Sequence, residues 1–186
     1  MNAKIPKLSF AELPNSIASL LRSKYERLGY LGEFFARTAH QEEALVAFIQ
    51  FTDAAKGALD FRLVELIALT IATRQEIAYE KNQHERLCIK LGYSRDWVAE
   101  VETLGTQGNT LMSTAECLVQ QFVLHAVNNN GRGSSQLLNQ IVDQFGHEDA
   151  VAIQMVMARY VAHALLINCM DIAAPVPSIF EDGFGI

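Results

Sequence analysis

The sequence predicts an all-α fold, a compact multi-helix bundle, on three observations. Apolar residues recur at helical spacing through most of the 186 residues. No stretch alternates Val, Ile and Thr with polar residues between hairpin turns. Gly, Pro, Ser and Asn punctuate the apolar runs where helices would start and stop.

Taken in order, Ser16 to Leu28 carries Ile17, Leu20, Leu21 and Leu28 on helical spacing and stops at Gly29, a usual helix-ending residue. A second helix is expected from Glu42 to Lys56, ended by Gly57. From Asp60 to Leu91 there is neither Gly nor Pro, but the polar group Thr73-Arg74-Gln75 interrupts the pattern, so two helices are predicted, near 60–72 and 76–91. Gly92 closes the second. Ser94 is the expected N-cap of a short helix, Arg95 to Glu102, and Gly105, Gly108 and Asn109 mark a loop. Ser113-Thr114-Ala115-Glu116 reads as a capping box that opens a helix to about Val127. The turn-rich run 128–134 then joins it to a helix from Ser135 to Phe145. After Gly146 the last long helix runs to about Ile172, and Pro175 and Pro177 forbid its continuation. The tail 176–186 is expected to be extended, with Ile179, Phe180 and Phe184 too apolar to be left in water.

Half of the residues are apolar, enough for one compact core, and the chain reads as a single helical domain over 1–186. Within it, 1–57 is an N-terminal helical segment, 58–104 the core motif region and 113–174 the C-terminal helices. A net charge of −6 and a pI near 5.3, with no run of Lys and Arg, argue against a nucleic-acid partner. The opening MNAKIPKLSFAELPNS lacks the apolar stretch and cleavage site of a secretory signal, so a cytoplasmic location is expected. The most apolar window, Val151 to Ala174, is interrupted by Gln154, Arg159, His163, Asn168 and Asp171 and reads as a buried or interface helix with no membrane span. Cys88, Cys117 and Cys169 are far apart and in no CxxC pair, which fits reduced thiols.

The chemistry is expected in the core motif region. LVELIALTIA, from Leu63 to Ala72, is apolar on every helical face except at Glu65 and Thr70, so Glu65 is drawn inward and needs a partner. That partner is either Arg62, three residues back, or a polar side chain across a pocket. In the next helix Glu80 and His84 stand one turn apart, where they share a proton or a ligand unless they form a solvated surface pair. Cys88 lies one turn beyond His84 and reads first as a small buried hydrophobe, with a thiolate–imidazole pair as the alternative. His125, His147 and His163 have no ligand-spaced neighbours and read as ordinary helix histidines. Glu76, Glu80 and His84 offer one nitrogen ligand, thin support for a metal site, and no metal or cofactor is expected.

The segment LDFRLVELIALTIATRQEIAYEKNQHERLCIKLGYSRDWVAEV resembles the core of the carboxymuconolactone decarboxylase and alkylhydroperoxidase D-like superfamily. It carries a Glu inside an apolar helix (Glu65), then Tyr79-Glu80, His84 and a closing Gly92, while Arg62 is displaced from its usual place beside the Glu. Tyr160 and Asn168 look like the family's Tyr and Asn on the last long helix. Two departures stand out: Ile77 and Glu80 occupy the positions of the family's CxxC, and Lys81 replaces a Trp. The resemblance implies Glu65, Glu80 and His84 as catalytic residues; Tyr79, Lys81 and Cys88 are read as substrate contacts, Lys81 as a donor that would hold a substrate carboxylate. It also implies a trimer or hexamer. The activity it implies is acid–base chemistry on a small carboxylated lactone or related carbonyl compound, with decarboxylation as the model. The alternatives are a peroxidase-like antioxidant protein, which the missing CxxC disfavours, and a non-catalytic ligand-binding homo-oligomer, which Lys81 favours.

Overall fold

A computed structural model describes residues 4–105, 108, 111–181 and 184. Among them are eight α-helices and no strand. In chain order these are α1 (Asn15–Leu28), α2 (Glu33–Thr38), α3 (Glu42–Gly57), α4 (Phe61–Arg74), α5 (Ala78–Lys90), α6 (Arg95–Glu102), α7 (Thr114–Asn128) and α8 (Ser135–Cys169). The all-α expectation holds. Helix α2 and a 3-10 turn at Phe10–Glu12 were not anticipated, both being too short to show a period.

The helix ends follow local chemistry. Gly29 takes φ 77° at the end of α1. The side chains of Asp60 and Ser94 accept the backbone N–H groups of Arg62 and Trp97 at the starts of α4 and α6. Ser113 and Glu116 close the expected capping box, with Ser113 N donating to Glu116 Oε2 at 2.7 Å and Glu116 N donating to Ser113 Oγ at 3.2 Å.

The α4–α5 turn falls at Gln75-Glu76-Ile77, two residues later than the polar triplet indicated. Glu76 takes the left-handed conformation, φ 55°, and Ile77 N donates to Ala72 O at 2.8 Å, a Schellman closure made without glycine. The predicted break at Gly146 is a kink inside α8, where φ 83° and ψ 174° are open only to glycine.

Helix α4 is the axis of the bundle. Every residue from Val64 to Ala72 is buried, and α5, α6, α7 and α8 pack around it. Helices α1 and α3 close a further layer over α8. By length and composition α8 would cross a membrane, but half of its most apolar stretch is buried inside the bundle, as in a core helix. Its outer face leaves Val151, Met155, Leu165 and Leu166 exposed. Ile179 of the tail is fully buried, Phe180 is partly exposed, and Phe184 packs against the Arg86 guanidinium at 4.7 Å.

Candidate active site

Glu65 faces inward from the middle of α4, where its charge would be costly without a partner. The tight turn after α4 lays α5 back across it, and His84 Nδ1 donates to Glu65 Oε2 at 2.6 Å. The pocket alternative for Glu65 is therefore the one realised. Arg62 instead donates Nε to Glu116 Oε1 at 2.7 Å and lies over the Trp97 ring.

Glu80, one turn before His84, is buried and does not form a surface pair. His84 Nε2 stands 3.7 Å from Glu80 Oε2. Helix α8 supplies the rest: Arg159 Nη1 reaches Glu80 Oε2 at 3.4 Å, and His163 Nδ1 lies 3.0 Å from the same oxygen, off the line of a hydrogen bond. Tyr160 meets the edge of the His84 ring, with centroids 5.3 Å apart, and the Arg159 guanidinium covers the Tyr160 ring. Two carboxylates, an imidazole pair and a guanidinium thus share one buried cluster.

The electrostatics of the cluster divide the protons. Burial opposes the charge on His84, but the Glu65 and Glu80 carboxylates outweigh it and raise the imidazole pKa. Burial also opposes the charge on Glu80, yet His163, His84 and Arg159 hold its carboxyl well below the usual range. His163 is lowered by burial, only partly offset by Glu80. Burial keeps the Tyr160 phenol protonated, and its hydroxyl has no hydrogen-bond partner among the described residues.

The cluster forms one wall of a cavity of about 610 Å³ between α1, α3, α5 and α8. Glu80, His84, Arg159, Tyr160 and His163 all line it, as does Tyr79. Tyr79 fits because Gly32 leaves room: a Cβ there would stand 2.8 Å from the Tyr79 hydroxyl.

Two expected substrate contacts lie elsewhere. Lys81 turns away from the cavity, 3.7 Å from Glu85 and 3.5 Å from Glu102, because the buried Glu85 carboxyl and the partly buried Glu102 carboxyl need a cation. Cys88 is fully buried behind Glu65, its sulfur 4.0 Å from Glu65 Oε2 and off the cavity wall. Burial and the neighbouring carboxylates push its thiol pKa up, the opposite of an activated thiolate. Asn168 is exposed on α8, and Glu76 is exposed at the turn.

Sequence reasoning missed Arg159 and His163. A signal was present, since both interrupt the most apolar window of the chain and stand four residues apart, the same logic that singled out Glu65. His163 is not an ordinary helix histidine but part of the cluster.

The all-α bundle, built around a buried carboxylate–imidazole cluster, shares its fold with solved proteins of the alkylhydroperoxidase AhpD kind. The debrominase Bmp8, as a cysteine variant in complex with 2,3,4-tribromopyrrole, shares the fold at TM-score 0.80 and 16% identity, covering 95% of this chain and 94% of that one. An uncharacterized peroxidase-related protein from Ralstonia eutropha JMP134, described as an alkylhydroperoxidase AhpD core, matches at TM-score 0.75 and 16% identity, covering 98% and 93%. A protein of unknown function from Agrobacterium tumefaciens matches at TM-score 0.66 and 14% identity, covering 75% and 96%. At such identities the likeness is one of fold. No protein-family model matches the sequence, and no curated protein matches it significantly.

Proposed function

We propose that this chain is an acid–base enzyme acting on a small carbonyl compound, with decarboxylation of a carboxylated lactone as the model reaction. The observation that carries it is the imidazole of His84 held between two buried carboxylates on the wall of an open cavity. Loss of carbon dioxide breaks a C–C bond and leaves its electron pair in a dienolate. The Nε2 proton of the His84 imidazolium goes to carbon, and solvent then returns a proton to the imidazole. Glu65 orients the ring. Glu80, kept ionised, holds the imidazolium form, and the neutral Tyr160 hydroxyl with the Arg159 guanidinium supports the charge on the enolate oxygen.

The peroxidase-like and dehalogenating chemistries named for proteins of this fold have less support. Cys88 is sealed behind Glu65, and Cys117 and Cys169 lie on other helices. The cavity itself supports a working site over a degenerate one, since no side chain among the described residues fills it. The test is deuterium incorporation from D2O into the products of a panel of carboxylated lactones and β-keto acids, followed by NMR. Turnover lost in His84→Asn and Glu80→Gln supports the reading; turnover unchanged in both variants overturns it.

A further inference from the structure

The cavity is cationic in a chain that is acidic as a whole. Lys24, Arg27, Lys56, Arg86, Lys90 and Arg159 line it, against the carboxylates of Asp53 and Glu80 alone. Arg159 is committed to Glu80, and Arg86 donates to Pro177 O. Lys24, exposed on α1, and Lys56, half-buried on α3, have no ion pair or hydrogen bond among the described residues. The Lys24 ammonium rests 4.9 Å from the centre of the Phe35 ring. Deeper in the same cavity the Tyr160 hydroxyl and His163 Nε2 are more than nine-tenths buried and equally without a hydrogen-bond partner.

Burial at the cavity wall, then Lys56 and Arg159, lower the pKa of Lys24 against the Glu80 and Asp53 carboxylates; burial likewise lowers Lys56, with Glu65, Glu80 and Asp53 opposing it and Arg159 adding to it. The carboxylates of Asp53 and Glu80 offset only part of the charge of the six cations that line the cavity. A dianion offsets more of that excess than a monoanion, and a phosphate monoester is close to two negative charges at neutral pH, with three acceptor oxygens for the six ammonium protons of Lys24 and Lys56.

We propose that Lys24 and Lys56 form a phosphate-binding subsite at the mouth of the cavity, so that the substrate is a small carbonyl compound with a phosphate monoester at the end away from His84. This rests on the acid–base reading for the reacting end only; the subsite itself stands on the lysine pair and the cationic excess of the cavity lining. Binding would place the phosphate between α1 and α3 and the carbonyl end against Tyr160 and His84.

Isothermal titration with inorganic phosphate at constant ionic strength and pH 7.5 tests it. Saturable binding is expected, weakened at least tenfold in both Lys24→Met and Lys56→Met, largely retained in Lys24→Arg, and unchanged in Lys4→Met, which lies outside the cavity. His84→Asn is expected to bind phosphate as the parent does. Acetate should bind far more weakly than phosphate. Absence of saturable binding overturns the proposal, as does phosphate affinity unchanged in both lysine variants or acetate binding as tight as phosphate. A chain that binds phosphate through the lysines yet exchanges no proton keeps the subsite and sinks the acid–base reading; proton exchange with no phosphate binding does the reverse.

Discussion

His84 Nδ1 lies 2.6 Å from Glu65 Oε2, although 19 residues and a turn between two helices separate them in sequence. Each satisfies a polar group that the bundle would otherwise bury unpaired. Glu65→Gln is therefore expected to keep the fold and lower turnover by roughly 10²–10⁴-fold, the usual span of a positioned acid–base group. Glu65→Leu should lower stability by about 1–3 kcal/mol by stranding the imidazole. The double variant Glu65→Leu, His84→Leu should recover most of that loss. Urea denaturation of the three proteins checks it, and strictly additive losses would show that the contact is not a pair.

The pH dependence follows from the same contact. The folded-state pKa of His84 is raised above 6.5, so its stabilising contribution is fully present below that value and is lost as pH rises through the raised value. Glu80, lowered from 4.5, contributes above that value and loses its contribution as pH falls through its depressed one. The kcat/KM profile should be flat between these limits, with an alkaline limb above pH 6.5. In Glu65→Gln that limb should move to lower pH. An unmoved limb would take the titration away from His84.

Thiol chemistry is expected to be absent. Cys88→Ser should leave acid–base turnover within a few-fold of the parent and cost about 1 kcal/mol, as a small change in a packed core does. Dithiol-dependent reduction of an alkyl hydroperoxide should be undetectable or very slow, because no cysteine stands beside an attacking thiolate. Rapid peroxide turnover that Cys88→Ser abolishes would reverse this conclusion.

Behind α5, Glu102 has its carboxyl pKa raised to about 7 by burial, with Glu85 adding to the rise and Lys81 opposing it. A raised carboxyl binds its proton more tightly in the folded state, so this group costs stability increasingly as pH rises from 4.5 to about 7. Glu85 also accepts from Ser178 Oγ at 2.6 Å and Ile179 N at 2.8 Å, which ties the C-terminal tail to this group. Glu102→Gln should gain melting temperature relative to the parent at pH 8 and little or none at pH 4.5. Equal differences at both pH values would place the titration elsewhere.

The exposed apolar face of α8 predicts self-association. Val151 is 51% exposed, Met155 47% and Leu165 58%, and their spacing puts them on one face of the helix. A homo-oligomer is expected in sedimentation at micromolar concentration, a trimer or hexamer by the family resemblance, and Met155→Lys with Leu165→Lys should dissociate it. A monomeric parent would refute this.

The helices themselves were legible in the residues because their signals are local. Gly29, Ser94, the Ser113–Glu116 box and the apolar periods act within one or two turns, and they specify helix ends whatever the rest of the chain does. Glu65, Glu80 and His84 could be singled out for the same reason: a carboxylate in an apolar helix and an acid–imidazole pair one turn apart are visible along the chain. Lys81 was misplaced because residues adjacent in a helix do not face the same way, and Cys88 because, one turn beyond His84, it packs behind Glu65 and off the cavity wall. The cationic cavity was invisible in sequence. Its charges come from positions 24, 27, 56, 86, 90 and 159, scattered through an acidic chain with no basic run, and Arg159 and His163 reach Glu80 only because α8 packs across α4 and α3. Local patterning set the elements and flagged the reactive types, whereas only long-range packing, driven by burial of apolar faces that carry no pairing code of their own, decided which charges meet.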